Sequence, residues 1–236
     1  DRSWHMGDPG FWKVPVTKLT SKSYAMTIGQ LIDVNKARTA SQIGPGDLKR
    51  HEGRNTTHFS VMDRKGNVVS NTYTINLAYG SGIVAKGTGI LWNNEMDDFS
   101  AKPGVANSFG LIGGAANAIE PGKRPLSSMT PTIVFKNGQP LLATGSPGGS
   151  RIITTVLQVV SNVIDHKMDI GRATAVPRFH HQWRPDFLRV EPGFSAKTLS
   201  ILKNRGHTIR ATGLMGSTQS IMSMDDGFFG ASDPRR

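Results

Sequence analysis

The sequence predicts an α+β fold in which antiparallel sheet is covered by helices, a layered αββα arrangement. Two features support this: short alternating segments joined in pairs by turn-forming residues, and two later stretches with a helical apolar period. No internal repeat or low-complexity run competes with that reading.

The strand pairs follow from their turns. Thr57 to Met62 alternates small polar and apolar residues, Arg64-Lys65-Gly66-Asn67 makes a turn, and Val68 to Asn76 alternates again. Pro131 to Phe135 and Pro140 to Thr144 flank Lys136-Asn137-Gly138, a strong hairpin signal. Ser220 to Met224 and Phe228 to Ala231 flank Asp225-Asp226-Gly227 in the same way. The two helices are expected from Ser150 to about Asp165 and from Ser195 to about Arg205.

Residues 1–55 read differently. Lys22 to Arg38 is expected to be helical, because Tyr24, Ile28, Leu31 and Ile32 fall on one face. Thr39 to Asn55 is polar, basic and Gly-containing, which predicts a linker or exposed loop. The chain therefore divides at 55/56, with a tail and linker before it and a folded unit after it.

The bulk properties exclude several classes. A chain of 236 residues can bury one sizeable core, and a mean hydropathy of −0.29 fits a globular protein. It has no run of eighteen apolar residues, so no membrane-spanning helix is expected. Cysteine is absent, which removes disulfides, thiolate metal sites and a cysteine nucleophile. The formal net charge of +11 invites a nucleic-acid role, but the basic residues are scattered without interleaved aromatics. A partner segment with compensating acidic residues explains the excess better. The first Met is residue 6, and Asp1-Arg2-Ser3-Trp4-His5 has no signal-peptide core. The chain is thus expected to be a fragment whose natural N-terminus, with any export signal, lies upstream.

Five places can carry chemistry. Thr56 opens a strand directly after the loop, a position that an ordinary strand threonine also fills. Asn55-Thr56-Thr57 also matches a glycosylation acceptor. If the chain were cut before Thr56, the new α-amino group, with a pKa of roughly 8, would be a built-in base for the weakly nucleophilic hydroxyl. Gly145-Ser-Pro-Gly148-Gly149-Ser150 joins a strand to a helix. Its amides and the helix dipole suit an oxyanion, although a tight turn needs the same glycines. Glu95, Asp97 and Asp98 form an acidic cluster that could hold an ammonium group or a metal. The alternation and central Gly of a calcium loop are missing, and a solvated acidic loop is the plainer reading. Ser127 and Ser128 could offer donors to a carboxylate or belong to an ordinary loop. His180 and His181 are adjacent on an expected strand, point to opposite faces, and are not expected to share a metal ion.

Taken together these segments resemble the bacterial gamma-glutamyltransferases (glutathione hydrolases). The strongest stretches are Thr56-Thr-His-Phe-Ser-Val61, Thr72-Tyr-Thr-Ile-Asn76, Asn93 to Gly104, Arg124-Pro-Leu-Ser-Ser-Met129, Gly145 to Arg151 and Pro177-Arg-Phe-His-His181. The resemblance covers nearly the whole chain.

It implies part of a four-layer αββα N-terminal-nucleophile hydrolase sandwich. A precursor would cut itself at Asn55–Thr56, leaving 1–55 as the tail of a large subunit and 56–236 as the small catalytic subunit. Thr56 would be the nucleophile, Thr74 the hydroxyl that orients it, and Gly148 and Gly149 the oxyanion hole. Asn76, Glu95 and Asp98 would hold the substrate's α-amino group, and Ser127 and Ser128 its α-carboxylate. The donor would be glutathione or another γ-glutamyl amide, and the acceptor water, an amino acid or a peptide.

Neither a cofactor nor a metal is implied, and the location would be periplasmic or secreted. An arginine that the family pairs with the substrate carboxylate has no assignable counterpart in residues 1–55, so this chain alone is expected to be inactive. Pro103 to Ala115 resembles a lid loop, with Phe109 where Tyr is common; loss of that hydroxyl predicts a more mobile lid. Trp92 stands where a small aliphatic residue is usual, which bears on substrate preference. The rival readings are a cephalosporin or glutaryl acylase, a polyglutamate-processing enzyme of the same superfamily, or a non-catalytic remnant that is never processed.

Overall fold

The computed structural model describes residues 1–43 and 56–235. It opens with three helical segments, α1 (Arg2–His5), α2 (Val16–Leu19) and α3 (Lys22–Gln30), and a helical turn, α4 (Ala40–Ile43). α3 ends eight residues short of the expected Arg38. Among the described residues Ile28, Leu31 and Ile32 are all exposed, and Asp33 turns the chain by accepting the Asn35 N–H at 2.8 Å.

The expected loop after Thr39 also needs correction at its start. Ala40 is buried, its N–H donates to Asp186 Oδ2 at 2.6 Å, and its carbonyl accepts from the Trp183 indole at 2.9 Å. The rest of that segment, including Asn55, lies outside the described residues.

Of the nine strands among the described residues, six follow the predicted pairs closely. β1 (Thr56–Met62) and β2 (Val68–Thr74) form a two-stranded antiparallel sheet in which Thr56 faces Thr74. β3 (Thr132–Lys136), β4 (Gln139–Thr144), β8 (Gln219–Met224) and β9 (Gly227–Ser232) form a four-stranded antiparallel sheet in the order β3-β4-β8-β9. The hairpin stacks on that sheet through hydroxyl bonds to its backbone. Ser70 Oγ donates to the Thr144 carbonyl at 3.0 Å, and Ser60 Oγ donates to the Gln219 carbonyl at 2.9 Å.

On the other face of the four-stranded sheet lie α5 (Ile152–Ile164) and α6 (Ile170–Ala175). Leu142 and Ala231 from the sheet pack against Val159, Val163, Ile170 and Ala173, and this cluster is the core. Each such side chain stabilises the fold by roughly 1.5–3 kcal/mol when buried. Sheet on sheet with helices outside supplies three layers of the expected αββα sandwich. On the hairpin's far side Phe59, Val61, Val69 and Tyr73 are exposed.

A third sheet, β5 (Phe179–His180), β6 (Leu188–Val190) and β7 (Ile209–Ala211), was not foreseen. Its β6–β7 pair is parallel, because α7 (Ala196–Asn204) provides the crossover that a parallel pair needs. Ser195 caps α7 by accepting the Thr198 N–H. No helix among the described residues is long and apolar enough to cross a membrane.

Candidate active site

The site forms where three chain segments meet at one end of the two stacked sheets. Thr56 is the first residue of β1 and is 8% exposed. Because the register sets it opposite Thr74, its hydroxyl reaches Thr74 Oγ1 at 3.2 Å. Thr74 Oγ1 also accepts the Asn76 N–H at 2.9 Å. Two strand ends therefore place the Thr56 hydroxyl, a second hydroxyl and a buried Asn within one short chain of bonds.

Asn76 has a left-handed backbone, φ 75, which turns the chain sharply out of β2. Its amide Nδ2 donates to the Asn94 carbonyl at 3.1 Å, and Asn94 Oδ1 accepts the Leu77 N–H at 3.0 Å. This exchange fastens the acidic segment to the end of β2. Glu95–Asp98 is a single 3-10 turn, so its first and last carboxylates share a side and hydrogen bond to each other.

Burial, and then the neighbouring Asp98, pushes the Glu95 carboxyl up to about 7. The Asp98 carboxyl is also raised, mainly by burial, with the Glu95 hydrogen bond and the Arg2 charge working against the rise. Among the described residues Glu95 Oε1 is buried without a hydrogen-bond partner. A hydrogen-bond donor such as an ammonium group would satisfy it. Asp97 turns elsewhere and accepts the Ser108 N–H at 3.1 Å, which ties down the 103–115 loop.

Ser127 and Ser128 reach the same region through Asn117. Its side chain donates to the Asp98 carbonyl at 2.7 Å and accepts the Leu126 N–H at 2.9 Å. Arg2, which sequence reasoning did not single out, donates to the Ser127 carbonyl and to Ser128 Oγ, both at 3.1 Å. The segment before Asn55 thus does bring an arginine to this loop, and only the fold could reveal it, since the partners lie more than 120 residues apart.

Gly148 and Gly149 lie between β4 and α5, with φ of 140 and 56 that L side chains rarely adopt. The turn is braced from behind: Ser146 Oγ accepts the Ser217 N–H at 2.9 Å. His58, two residues after Thr56, lies against Gly145 and bonds Thr72 Oγ1 at 2.7 Å and Ser60 Oγ at 3.1 Å. Burial lowers its pKa to about 4, so the ring is neutral near pH 7 and works as a spacer between the sheets.

Ser150 Oγ donates to Gln182 Oε1 at 2.9 Å, and Gln182 Nε2 donates to the Phe109 carbonyl at 3.4 Å. The Phe109 ring itself is buried. His180 is buried against Thr154 and Gln182, whereas His181 faces Asp186 at 3.3 Å. The two imidazoles therefore have different surroundings, although β5 ends at His180 and His181 lies just beyond it.

An αββα-type arrangement with a Thr at the head of a strand defines the class of N-terminal-nucleophile hydrolases. A family model described as gamma-glutamyltranspeptidase matches residues 1–236, and the chain belongs to that family. It is 59% identical over 236 residues to the glutathione hydrolase proenzyme of Escherichia coli (strain K12), covering all of this chain and 41% of the relative. The chain accordingly spans about two fifths of the length of that relative. A gamma-glutamyltranspeptidase structure from Helicobacter pylori superposes with a TM-score of 0.74 at 56% identity, covering 76% of this chain and 100% of that one. The cephalosporin acylase of Bacillus halodurans superposes at 0.79 with 28% identity, over 98% of this chain and 40% of that one.

Proposed function

We propose that the protein containing this chain is a self-processing glutathione hydrolase and γ-glutamyltransferase. The observation that carries this reading is the Thr56–Thr74 hydroxyl pair at the open end of the β1–β2 hairpin, with Asn76 bonded to the same hydroxyl. Cleavage of Asn55–Thr56 would free the α-amine of Thr56 to act as base toward its own hydroxyl. The hydroxyl would attack the γ-glutamyl amide, with Thr74 orienting it and the amides of Gly148 and Gly149 stabilising the oxyanion. The amine would protonate the departing group, and the acyl-enzyme would pass to water, an amino acid or a peptide.

Specificity for the γ-glutamyl group would come from its two charges. Asn76, Glu95 and Asp98 would take the α-ammonium, and Ser127 and Ser128 the α-carboxylate. Glutathione is then a natural donor.

Residues 1–55 would be the tail of the large subunit and 56–236 the small subunit. In support, the Helicobacter pylori chain is matched in full by 76% of this one, the share that residues 56–236 represent. The rest of the large subunit would cover the outer face of β1 and β2, where Phe59, Val61, Val69 and Tyr73 are exposed and the αββα sandwich lacks its fourth layer. The location would be periplasmic or secreted. An acylase of the same fold is the second reading, favoured by the likeness to the cephalosporin acylase.

The test is to express the full-length gene and sequence the N-terminus of the smaller product. A product beginning Thr56-Thr57-His58-Phe59 that releases glutamate from a γ-glutamyl anilide supports the proposal. An uncut chain, or a cut elsewhere, defeats it. A correct cut with activity only on glutaryl or cephalosporin substrates selects the acylase.

A further inference from the structure

Asp8 is 5% exposed, an unusual place for a carboxylate. It is fully engaged: Oδ2 accepts the Arg124 backbone N–H at 3.0 Å and Arg124 Nε at 2.9 Å, while Oδ1 accepts Arg124 NH2 at 2.8 Å and the Gly10 N–H at 3.0 Å. These bonds to Arg124 and Gly10 hold the carboxyl well below its ordinary range. Arg124 itself points outward, with its side chain 76% exposed. The pair is therefore built around the acid, and what it grips is the start of the segment Arg124-Pro125-Leu126-Ser127-Ser128.

The rest of the N-terminal segment runs along the same stretch. The Gly114 N–H donates to the Ser3 carbonyl at 2.7 Å. Gly7 lies so close to Ala116 that a Cβ there would fall 2.1 Å from the carbonyl oxygen, and Lys123 Nζ sits 5.9 Å from the Phe11 ring. Residues 3–11 thus form a strap over 113–124, with Arg2 and Asp8 gripping either side of the serine pair's approach.

We propose that Asp8 is a positioning residue for the loop that binds the donor's α-carboxylate. This rests on the reading that Ser127 and Ser128 take that carboxylate. Asp8 anchors the loop from the upstream side of the proposed processing bond.

The experiment uses the processed full-length protein and two anilide donors. One is γ-glutamyl p-nitroanilide. The other is 4-aminobutyryl p-nitroanilide, the same acyl group without its α-carboxylate. Asp8→Asn is expected to raise KM for the γ-glutamyl donor about tenfold, the scale of a displaced charge-assisted contact, with a smaller change in kcat. KM for the 4-aminobutyryl donor should stay within error, so discrimination between the two narrows. Equal losses on both donors, or an unchanged KM on the first, would overturn the proposal.

Arg124→Gln carries the same expectation and covers the case in which Asp8→Asn does not fold, because the Arg124 side chain is mostly solvent-exposed. Ser128→Ala separates the two levels of the argument. If Ser128→Ala leaves KM for the γ-glutamyl donor unchanged, the serine reading fails and the Asp8 inference falls with it. If Ser128→Ala raises KM while Asp8→Asn and Arg124→Gln do not, only the Asp8 inference fails.

Discussion

The imidazole of His58 lies against Gly145 so closely that a Cβ built at Gly145 would fall 2.2 Å from the ring's Cε1. His58 follows Thr56 by two residues on the same face of β1, and Gly145 opens the turn that carries Gly148 and Gly149. One contact thus sets the spacing between the proposed nucleophile and the proposed oxyanion hole. The clash is purely steric, since Gly145 is absent from the left-handed backbone positions.

Gly145→Ala is therefore expected to cost about 1–3 kcal/mol of stability through overpacking. If the displaced ring moves Thr56 by the order of 1 Å, turnover should fall about 100-fold. Urea unfolding and kcat on a γ-glutamyl anilide measure the two effects. Wild-type values for both would show that the sheets tolerate a wider spacing.

The acidic pair predicts a pH dependence. Glu95, raised to about 7, is faced by Asp98, with Asp97 and Arg2 close to that partner. Below pH 7 the protonated acid predominates and cannot pair with an ammonium group, so KM for the donor should rise as pH falls. Glu95→Gln should raise KM at pH 8 and flatten its pH profile. For stability the sign is opposite. The fold favours protonated Glu95, so its contribution is complete below the ordinary carboxylate range and is lost as pH rises through about 7.

Phe109 bears on the 103–115 loop. Its ring is buried, and the loop is held by Asp97, Asn107 and Gln182. Restoring a hydroxyl with Phe109→Tyr is expected to slow hydrogen exchange across residues 103–115 and to change turnover. If exchange and turnover match the parent, the hydroxyl has no part in closing the loop.

A buried ion network fastens the far side of the molecule. Arg178 NH2 pairs with Asp233 Oδ2 at 2.6 Å, and Arg235 bridges Asp233 at 3.0 Å and Glu191 at 2.7 Å. Asp233→Asn should destabilise the fold by about 3–5 kcal/mol, because it strands a buried guanidinium. Burial opposes ionisation of Glu191 and Asp233, but the arginines and backbone N–H groups prevail and lower both carboxyls. Their contribution is present above the ordinary carboxylate range and is lost in acid. A denaturation midpoint for Asp233→Asn equal to the parent's would refute this.

Much of the hairpin framework could be read directly, because Lys136-Asn137-Gly138 and Asp225-Asp226-Gly227 encode their turns locally. The helices after Gly149 and Ser195 were legible for the same reason: period and caps are properties of neighbouring residues. The helix expected from Lys22 to Arg38 was legible only as far as Gln30, because the Asp33 side chain turns the chain soon after it.

The proposed chemical groups divide along the same line. Thr56, the two glycines, the acidic cluster and the serine pair announced themselves by residue type and motif. Asn94, Asn117, Arg2 and Asp8 did not, although they hold those groups in place. Local patterns determine turns, caps and faces because they depend on residues a few positions apart. Which arginine meets which serine, and how far His58 stands from Gly145, depends on packing between segments dozens of residues apart, and only the folded chain decides it.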